Sequence, residues 1–424
     1  MGGYRKTLIG IVTLAATIVP ALPAHAWYPD VPSSYWAYGS IKYVTVTHKW
    51  MAYGPTYFQP EAYVLRKHFA RWLYNEFVPP PSPSPTASPS AEPTVAPTAS
   101  PDATASPDPS VSPSPTPAPP PLPTFSDFSS SDPYYRYVSA VVQLGWMGAP
   151  GGKFRPTEAV RKVELDIALV YALGLRQAAS GLNRLGTADG YVFKKPAGFG
   201  AMAIAEEMRL HFNHPTAQDK RELRPYSPVR RADAAYAMHQ AGAAKDSWRI
   251  WSMQRYQSIT LPAMNAARKA AVEFAFRWVG YPYIYGGEWY APTPSGYCCG
   301  AQAYGGFDCS GFTWWVLKAP SGSWNNTAIR KYDGWSLPQR TSYDMARAAI
   351  GSRRITSTSS LLPMDIVLFQ SELSSTSYTA IDHAGMYIGS GWMIHSSGGR
   401  AGVTISWMGD GWWKDHFKVG RRIM

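Results

Sequence analysis

Phe307-Asp308-Cys309-Ser310-Gly311-Phe312 sets a cysteine where a Gly-flanked loop turns into a helix. Ser310 to Lys318 reads as the first turns of an apolar helix, and unpaired N–H groups at a helix start favour thiolate over thiol. Cys309 is therefore the candidate nucleophile. Downstream, His383-Ala384-Gly385-Met386-Tyr387-Ile388-Gly389 and Trp392-Met393-Ile394-His395 carry two histidines on segments that alternate like strands. If Gly389-Ser390-Gly391 turns a hairpin centred on Ser390, Gly385 faces His395 and both imidazoles emerge on one face. A two-residue turn shifts the register by one and sends them to opposite faces. In the first register His383 takes the proton from Cys309 and His395 fixes its tautomer. Upstream, Ala263 to Val279 has apolar residues at helical spacing and stops at Gly280, so a helix packed on the sheet is expected.

From about Ala263 onward the chain resembles the NlpC/P60 cysteine peptidases. The resemblance rests on Gly280 to Gly287, Phe307 to Phe312, Leu337-Pro338-Gln339-Arg340-Thr341-Ser342, Pro363-Met364-Asp365-Ile366-Val367-Leu368-Phe369 and the two histidine segments. It implies a papain-like α+β domain with a central antiparallel sheet, no cofactor and no metal. It also implies hydrolysis of peptidoglycan stem peptides, usually after γ-D-glutamate. In that family Tyr283, Asp308 and Ser310 sit beside the nucleophile and help hold the free amino end of the stem peptide. A negative charge raises a thiol pKa, so gripping a substrate ammonium suits Asp308 better than activating Cys309. Met364 stands where the family usually has Gly. The segment 288–306, with Trp289, Tyr290, Tyr297, Cys298, Cys299 and Tyr304, is either a loop lining the cleft or a surface insertion.

An internal repeat precedes this region. Asp30 is followed by Trp36, Ile41, Trp50-Met51, Phe58-Gln59-Pro60 and Arg66-Lys67, and Asp127 by Tyr134, Val138, Trp146-Met147, Phe154-Arg155-Pro156 and Arg161-Lys162. A degenerate third copy, lacking the opening Asp, runs from about Tyr191 to Arg230-Arg231-Ala232-Asp233. From Phe58 to Arg66 is eight residues, whereas Phe154 to Arg161 and Leu223 to Arg230 are seven each. Units repeated at a fixed period stack together. The copies resemble S-layer homology (SLH) repeats, helical hairpins that assemble in threes and bind anionic secondary cell-wall polysaccharide. On that resemblance Trp50 and Trp146 offer aromatic faces, and Arg66, Arg161 and Arg230 pair with acidic groups of the glycan. The alternative is that the tryptophans are core and the arginines cap or bridge helices.

The expected organisation is a signal peptide at 1–26, repeat 1 at 27–78, and a Pro/Ser/Thr/Ala-rich linker at 79–123 that cannot bury a core. Repeat 2 follows at 124–176, repeat 3 at 177–245 and the catalytic domain at 262–424. Arg5-Lys6, the apolar run Leu8 to Val19 and Ala24-His25-Ala26 have the layout of a cleaved secretory signal, too short to span a bilayer. The mature chain is then an exported protein of a bacterial wall or surface with no transmembrane segment. Three cysteines make no disulfide scaffold, and the odd count fits one free thiol. Cys298 and Cys299 are either both reduced or include one intermolecular bond. The net charge of +12 is scattered rather than gathered into a nucleic-acid-binding motif, and suits anionic wall polymers. The first functional expectation is thus a wall-anchored endopeptidase. Amidase or acyl-transfer chemistry on another amide, and a non-catalytic wall-binding protein, are its competitors.

Overall fold

The computed structural model describes residues 28–51, 56–79, 122–294, 301–318 and 337–424. The expected signal peptide, nearly all of the linker, and Tyr297, Cys298 and Cys299 lie outside these residues.

Three copies of one local pattern close into a ring. Helices α1 (Tyr38–Lys42) and α2 (Arg66–Phe77) come from the first copy, and α3 (Tyr135–Gln143) and α4 (Lys162–Ala172) from the second. Next come α5 (Arg176–Asn183), α6 (Phe199–Glu207) and α7 (Arg231–Ala244). Two residues before α2, α4 and α7 stand Val64, Val160 and Val229, all buried. Val64 N–H donates to the Val229 carbonyl (2.9 Å), Val229 to Val160 (2.8 Å) and Val160 to Val64 (2.8 Å). The cycle repeats one step on, where Arg66, Lys162 and Arg231 donate their N–H groups to Glu158, Ser227 and Ala62. Each buried backbone group thus finds its partner in a neighbouring copy. The first copy closes this ring rather than standing alone.

The ring corrects the pairing of the repeats. Arg66 corresponds to Lys162 and Arg231, each the first helical residue, and the step from Phe58, Phe154 or Leu223 is then eight residues in every copy. Arg161 and Arg230 are instead the N-cap residues. The repeated aspartate has a local task. Asp30 accepts from Phe58 N–H (3.1 Å) and Gln59 N–H (2.7 Å), and Asp127 does the same for Phe154 (2.9 Å) and Arg155 (2.8 Å). Gln59 and Arg155 both have φ near +60°, a conformation that costs a non-glycine residue and needs such anchoring.

Two members of the expected polymer-binding set, Trp50 and Arg66, are corrected by their burial. Trp50 is 3% exposed and packs against Tyr43 and His48, and Arg66 is 1% exposed. Trp146 is half-buried on Phe77, and Arg230 pairs with Asp233 (2.8 Å); Arg161 is the exposed member. Trp50 and Arg66 are core rather than ligand-facing. Arg66 donates Nε to the Phe154 carbonyl (2.8 Å), Nη2 to the Gly148 carbonyl (2.8 Å) and Nη1 to Glu164 (2.5 Å). Arg66→Met strips these acceptors, and breaking a buried pair this way costs about 3 kcal/mol. The melting temperature should fall by roughly 6–12 °C for a unit of this size. A calorimetric shift below about 2 °C would show that Arg66 does not lock copy one to copy two.

After α7 come α8 (Trp248–Ser252) and β2 (Thr260–Leu261), which pairs parallel with β1 (Gly186–Thr187), a strand between α5 and α6. Helix α9 (Ala266–Phe276) opens with Asn265 accepting from Arg268 N–H, and Gly280, at φ +83°, follows its end, much as its pattern predicts. Strands β3 (Glu288–Trp289) and β4 (Gly306–Phe307) pair antiparallel ahead of α10 (Cys309–Lys318) and α11 (Ser342–Arg347). The main sheet comprises β5 (Arg354–Ile355), β6 (Ile366–Gln370), β7 (Ile381–Gly389), β8 (Trp392–Ser397), β9 (Gly402–Trp407) and β10 (Phe417–Arg421). Helix α12 (Gly411–His416) lies between the last two. The order is β5-β10-β6-β7-β8-β9 and every pairing is antiparallel.

Strand β6 is apolar throughout because both its faces are covered. Ile366 and Leu368 join the large core, and Val367 and Phe369 a smaller one on the other side. Met364, just before it, has φ +69°, which explains the glycine expected there; its fully buried side chain occupies the core instead. The large core runs without a break from the helical ring to the sheet, with α6 against β9. Thr404 Oγ1 donates to the Ala203 carbonyl (3.0 Å) and Tyr256 OH to the Ile405 carbonyl (2.8 Å). Among the described residues no helix is long and apolar enough to cross a membrane.

Candidate active site

Cys309 is the first residue of α10 and is 8% exposed. A close approach fixes it there: a Cβ on Gly311 would stand 2.0 Å from the Gly287 carbonyl oxygen, so only glycine lets the helix start so near that loop. The thiol lies against β7, with Sγ 3.9 Å from the Asp382 carbonyl oxygen. Burial first, and then the Asp308 carboxylate, push its pKa up to about 12. The thiol is thus neutral at rest, and the helix start does not outweigh desolvation.

Both histidines emerge on one face, by a route that combines the two hairpin alternatives. The turn is a two-residue one, with Gly389 opposite Trp392 and positive φ at Ser390 and Gly391. A bulge between Tyr387 and Gly389 then adds the residue that restores register, so Met386 pairs with Ile394. Gly385 therefore faces His395, as the three-residue reading requires. His383 Nε2 and His395 Nδ1 are 2.8 Å apart.

The hydrogen-bond chain continues beyond the pair. His395 Nε2 lies 2.8 Å from Ser406 Oγ on β9, and Ser406 Oγ–H donates to Glu207 Oε1 at 2.5 Å. Glu207 ends α6 and is held from its other side by Arg400 Nε (3.4 Å). A carboxylate only accepts, so donor order is set from this end. Ser406 gives its proton to Glu207 and accepts from His395 Nε2–H. His395 Nδ1 accepts from His383 Nε2–H. His383 Nδ1 is left with a lone pair. Burial lowers the His383 pKa to about 4 and takes that of His395 well below its ordinary value, with the second ring and Arg400 adding to the effect on His395. Trp413 of α12 covers both rings, 5.1 Å from His383 and 4.8 Å from His395 between centroids.

Tyr283, Asp308 and Ser310 do gather around Cys309, but two of them are already engaged. Arg340, 6% exposed, donates to both Asp308 oxygens (3.2 and 3.1 Å), to Ser310 Oγ (2.9 Å) and to Glu288 (2.7 Å). Asp308 also accepts from Gly311 N–H at 2.5 Å, capping α10. The carboxylate expected to grip an ammonium is therefore tied into the helix start. Tyr283 is half-buried, with its pKa raised by burial and then by Cys309 and Asp308.

The described parts of the 288–306 segment, 288–294 and 301–306, are packed onto the domain. Trp289 is buried edge-on against Trp315 (4.0 Å) and Tyr290 stacks on Trp278 (4.9 Å), while Gln302 bridges its two arms. Pro292, Tyr304 and Gly305 line a recess with Tyr63 and Arg230 of the ring, and Cys309 is not part of its wall. Ser406, Glu207, Arg340 and Trp413 are the site residues that sequence reasoning missed. Arg340 stands in a quoted motif without a role; the others sit in no motif.

Residues 280–422 match the NlpC/P60 family, and residues 124–164 match the S-layer homology domain. Among curated proteins, the chain is 30% identical over 152 residues to the gamma-DL-glutamyl hydrolase of Bacillus subtilis (strain 168), covering 36% of this chain and 28% of that protein. It is 30% identical over 128 residues to murein DD-endopeptidase MepS/murein LD-carboxypeptidase of Escherichia coli (strain K12), covering 30% of this chain and 55% of that protein. These matches span less than two thirds of either relative. Among solved structures, an NlpC/P60 family protein from Bacillus cereus ATCC 10987 is 23% identical, over 39% of this chain and 42% of that one, with a TM-score of 0.27. By these matches residues 280–422 are a domain of the NlpC/P60 family, on a chain that also carries an S-layer homology domain at 124–164.

Proposed function

We propose that the protein is an exported peptidoglycan endopeptidase, held at the wall by its three-copy helical ring, that hydrolyses stem-peptide bonds with Cys309, His383 and His395. The observation that carries this reading is the ordered chain from Glu207 to His383, which leaves an unprotonated nitrogen on a ring of β7, the strand against which the buried Cys309 thiol lies. The names of the relatives, a gamma-DL-glutamyl hydrolase and a murein endopeptidase, point the same way. Cleavage after γ-D-glutamate is the preferred bond. The reading divides the chain as in the sequence analysis, with catalysis at 262–424 and wall attachment upstream.

The chemistry follows from the protonation states. His383 Nδ1 takes the Cys309 proton as sulfur attacks the carbonyl carbon, and N–H groups in the first turn of α10 receive the oxyanion. The imidazolium then protonates the leaving amine, which departs and leaves a thioester. Water, deprotonated by His383, releases the acid and restores the thiol. Tyr283 contacts the acyl portion, and Asp308 and Ser310 act through Arg340.

Two tests apply. Mass spectrometry of muropeptides released from purified peptidoglycan should show fragments ending in γ-D-glutamate with wild type and none with Cys309→Ala. Release of nothing by either would remove the reading. The pH profile is the second. With the thiol near 12 and His383 near 4, the productive neutral pair exists between these values and is lost as pH falls and the imidazole protonates. The acid limb of kcat/KM should be centred near pH 4. A limb at the ordinary histidine value of about 6.5 would contradict the buried, neutral site.

A further inference from the structure

A groove of about 540 Å³ lies between the end of α6, α8 and α12, and it adjoins the cleft of about 340 Å³ whose wall includes His383. Arg209, Arg400, Trp412 and Trp413 line both, so the two form one continuous trough. Its charge is unbalanced. Arg209, Arg249, Arg255 and Arg400 face three carboxylates, Glu207, Asp410 and, beside His383, Asp382, which accepts from Ser371 N–H (3.1 Å). Asp410 is paired with Arg255 (2.8 Å) and Glu207 is shared between Arg400 and Ser406. Among the described residues neither Arg209 nor Arg249 has an ion-pair partner.

We propose that this trough is a carboxylate-binding subsite for the leaving-side portion of the substrate peptide, with Arg209 and Arg249 as its specificity-determining residues. The proposal rests on the endopeptidase reading. Position gives the side: the leaving amine collects its proton from His383, so the chain beyond the scissile bond lies on the histidine side of the thiol, where the trough opens. Charge gives the chemistry. Burial, and then the neighbouring Arg400 and Arg249, lower the Arg209 pKa, a sign of crowded guanidiniums that an incoming anion relieves. The φ of +58° at Arg209 belongs to the C-terminal cap of α6, where Arg209 N–H donates to the Glu206 carbonyl and Leu210 N–H to the Ala205 carbonyl, which fixes the residue at the mouth of the groove. Guanidinium forks match carboxylates in geometry as well as charge. Trp248, 76% exposed, and Trp412, 40% exposed, flank the arginines and offer apolar faces to the body of the ligand. Arg209 and Arg249 lie outside residues 280–422, so the preference comes from the upstream helices and not from the family domain.

The test uses the full chain and two synthetic stem peptides that differ only in whether the leaving-side carboxylates are free or amidated. Wild type should favour the free acid by about tenfold or more in kcat/KM, mainly through KM. In Arg209→Gln/Arg249→Gln the ratio between the peptides should fall to near one, and because it is internal to each protein it is insensitive to partial misfolding. No preference in wild type, or a preference kept by the variant, overturns the proposal. If wild type cleaves neither peptide, the endopeptidase reading fails by itself. The subsite is then judged by calorimetric titration of the carboxylated leaving-side fragment, and binding by wild type that is not about tenfold tighter than by the variant overturns it.

Discussion

Cys309→Ala and His383→Ala are each expected to slow muropeptide release by on the order of 10⁴-fold or more, and the double variant should be no slower than either. The size follows from the resting protonation state. Were the thiol already ionised, loss of the histidine would leave a nucleophile in place and cost far less. Here burial and Asp308 hold the thiol near 12 and burial holds His383 near 4, so no standing ion pair exists and sulfur becomes nucleophilic only as its proton moves to the ring. Either deletion removes the same event. Side chains that act as one unit give non-additive losses, and single-turnover rates of the three variants would measure this directly. Binding to purified walls, followed by co-sedimentation, should be unchanged, because the ring stays intact. A His383→Ala protein keeping a tenth of wild-type activity would refute the general-base role, and lost wall binding in Cys309→Ala would refute the separation of modules.

What the sequence displayed and what it hid divide along local and non-local lines. The cysteine at a helix start, the helix before Gly280 and the facing histidines depend on residues close in the chain, and each pattern has a local physical cause. The hairpin shows the limit even there. Gly389-Ser390-Gly391 suited two turns, and only the bulge at Ile388 reconciles a two-residue turn with histidines on one face. The repeats show another limit. Arg66, Arg161 and Arg230 look equivalent by side chain, but the backbone cycle pairs Arg66 with Lys162 and Arg231, because register is set by where each helix begins. Asp308 read as a ligand group because its partner, Arg340, is 32 residues away and its pairing is a tertiary fact. Glu207 was the least legible of all. It sits in a helix of a different segment, 199 residues from Ser406, and nothing in its neighbourhood marks it.

Glu207→Ala should lower kcat about 10- to 100-fold with little change in KM, the loss expected when one charge-assisted hydrogen bond no longer orders a relay. Glu207 lines the trough, but its carboxylate is taken up by Ser406 and Arg400, so it is a positioning residue that acts through Ser406 and His395. Without it the Ser406 hydroxyl is free to donate to His395, and the chain can run in reverse, with the proton on His383 Nδ1 where the lone pair is needed. A fraction of molecules then holds a ring that cannot accept from Cys309. Glu207→Gln is the sharper probe, since its amide keeps the size and one acceptor yet can turn its NH₂ toward Ser406; an intermediate kcat is expected. Ser406→Ala cuts the same chain one link nearer, so its loss should resemble that of Glu207→Ala, and the pair together should cost no more than one. Partly exposed Arg400 loses its counter-charge in Glu207→Ala, so some destabilisation accompanies the kinetic loss, and Glu207→Gln with Ser406→Ala separates the two through melting curves taken beside the rates. Losses that add in the double variant, or a rise in KM with kcat intact, would mean that Glu207 only braces α6 against β9. Non-additive losses confined to kcat would instead show a helix of the upstream ring setting the tautomer of a histidine in the neighbouring domain.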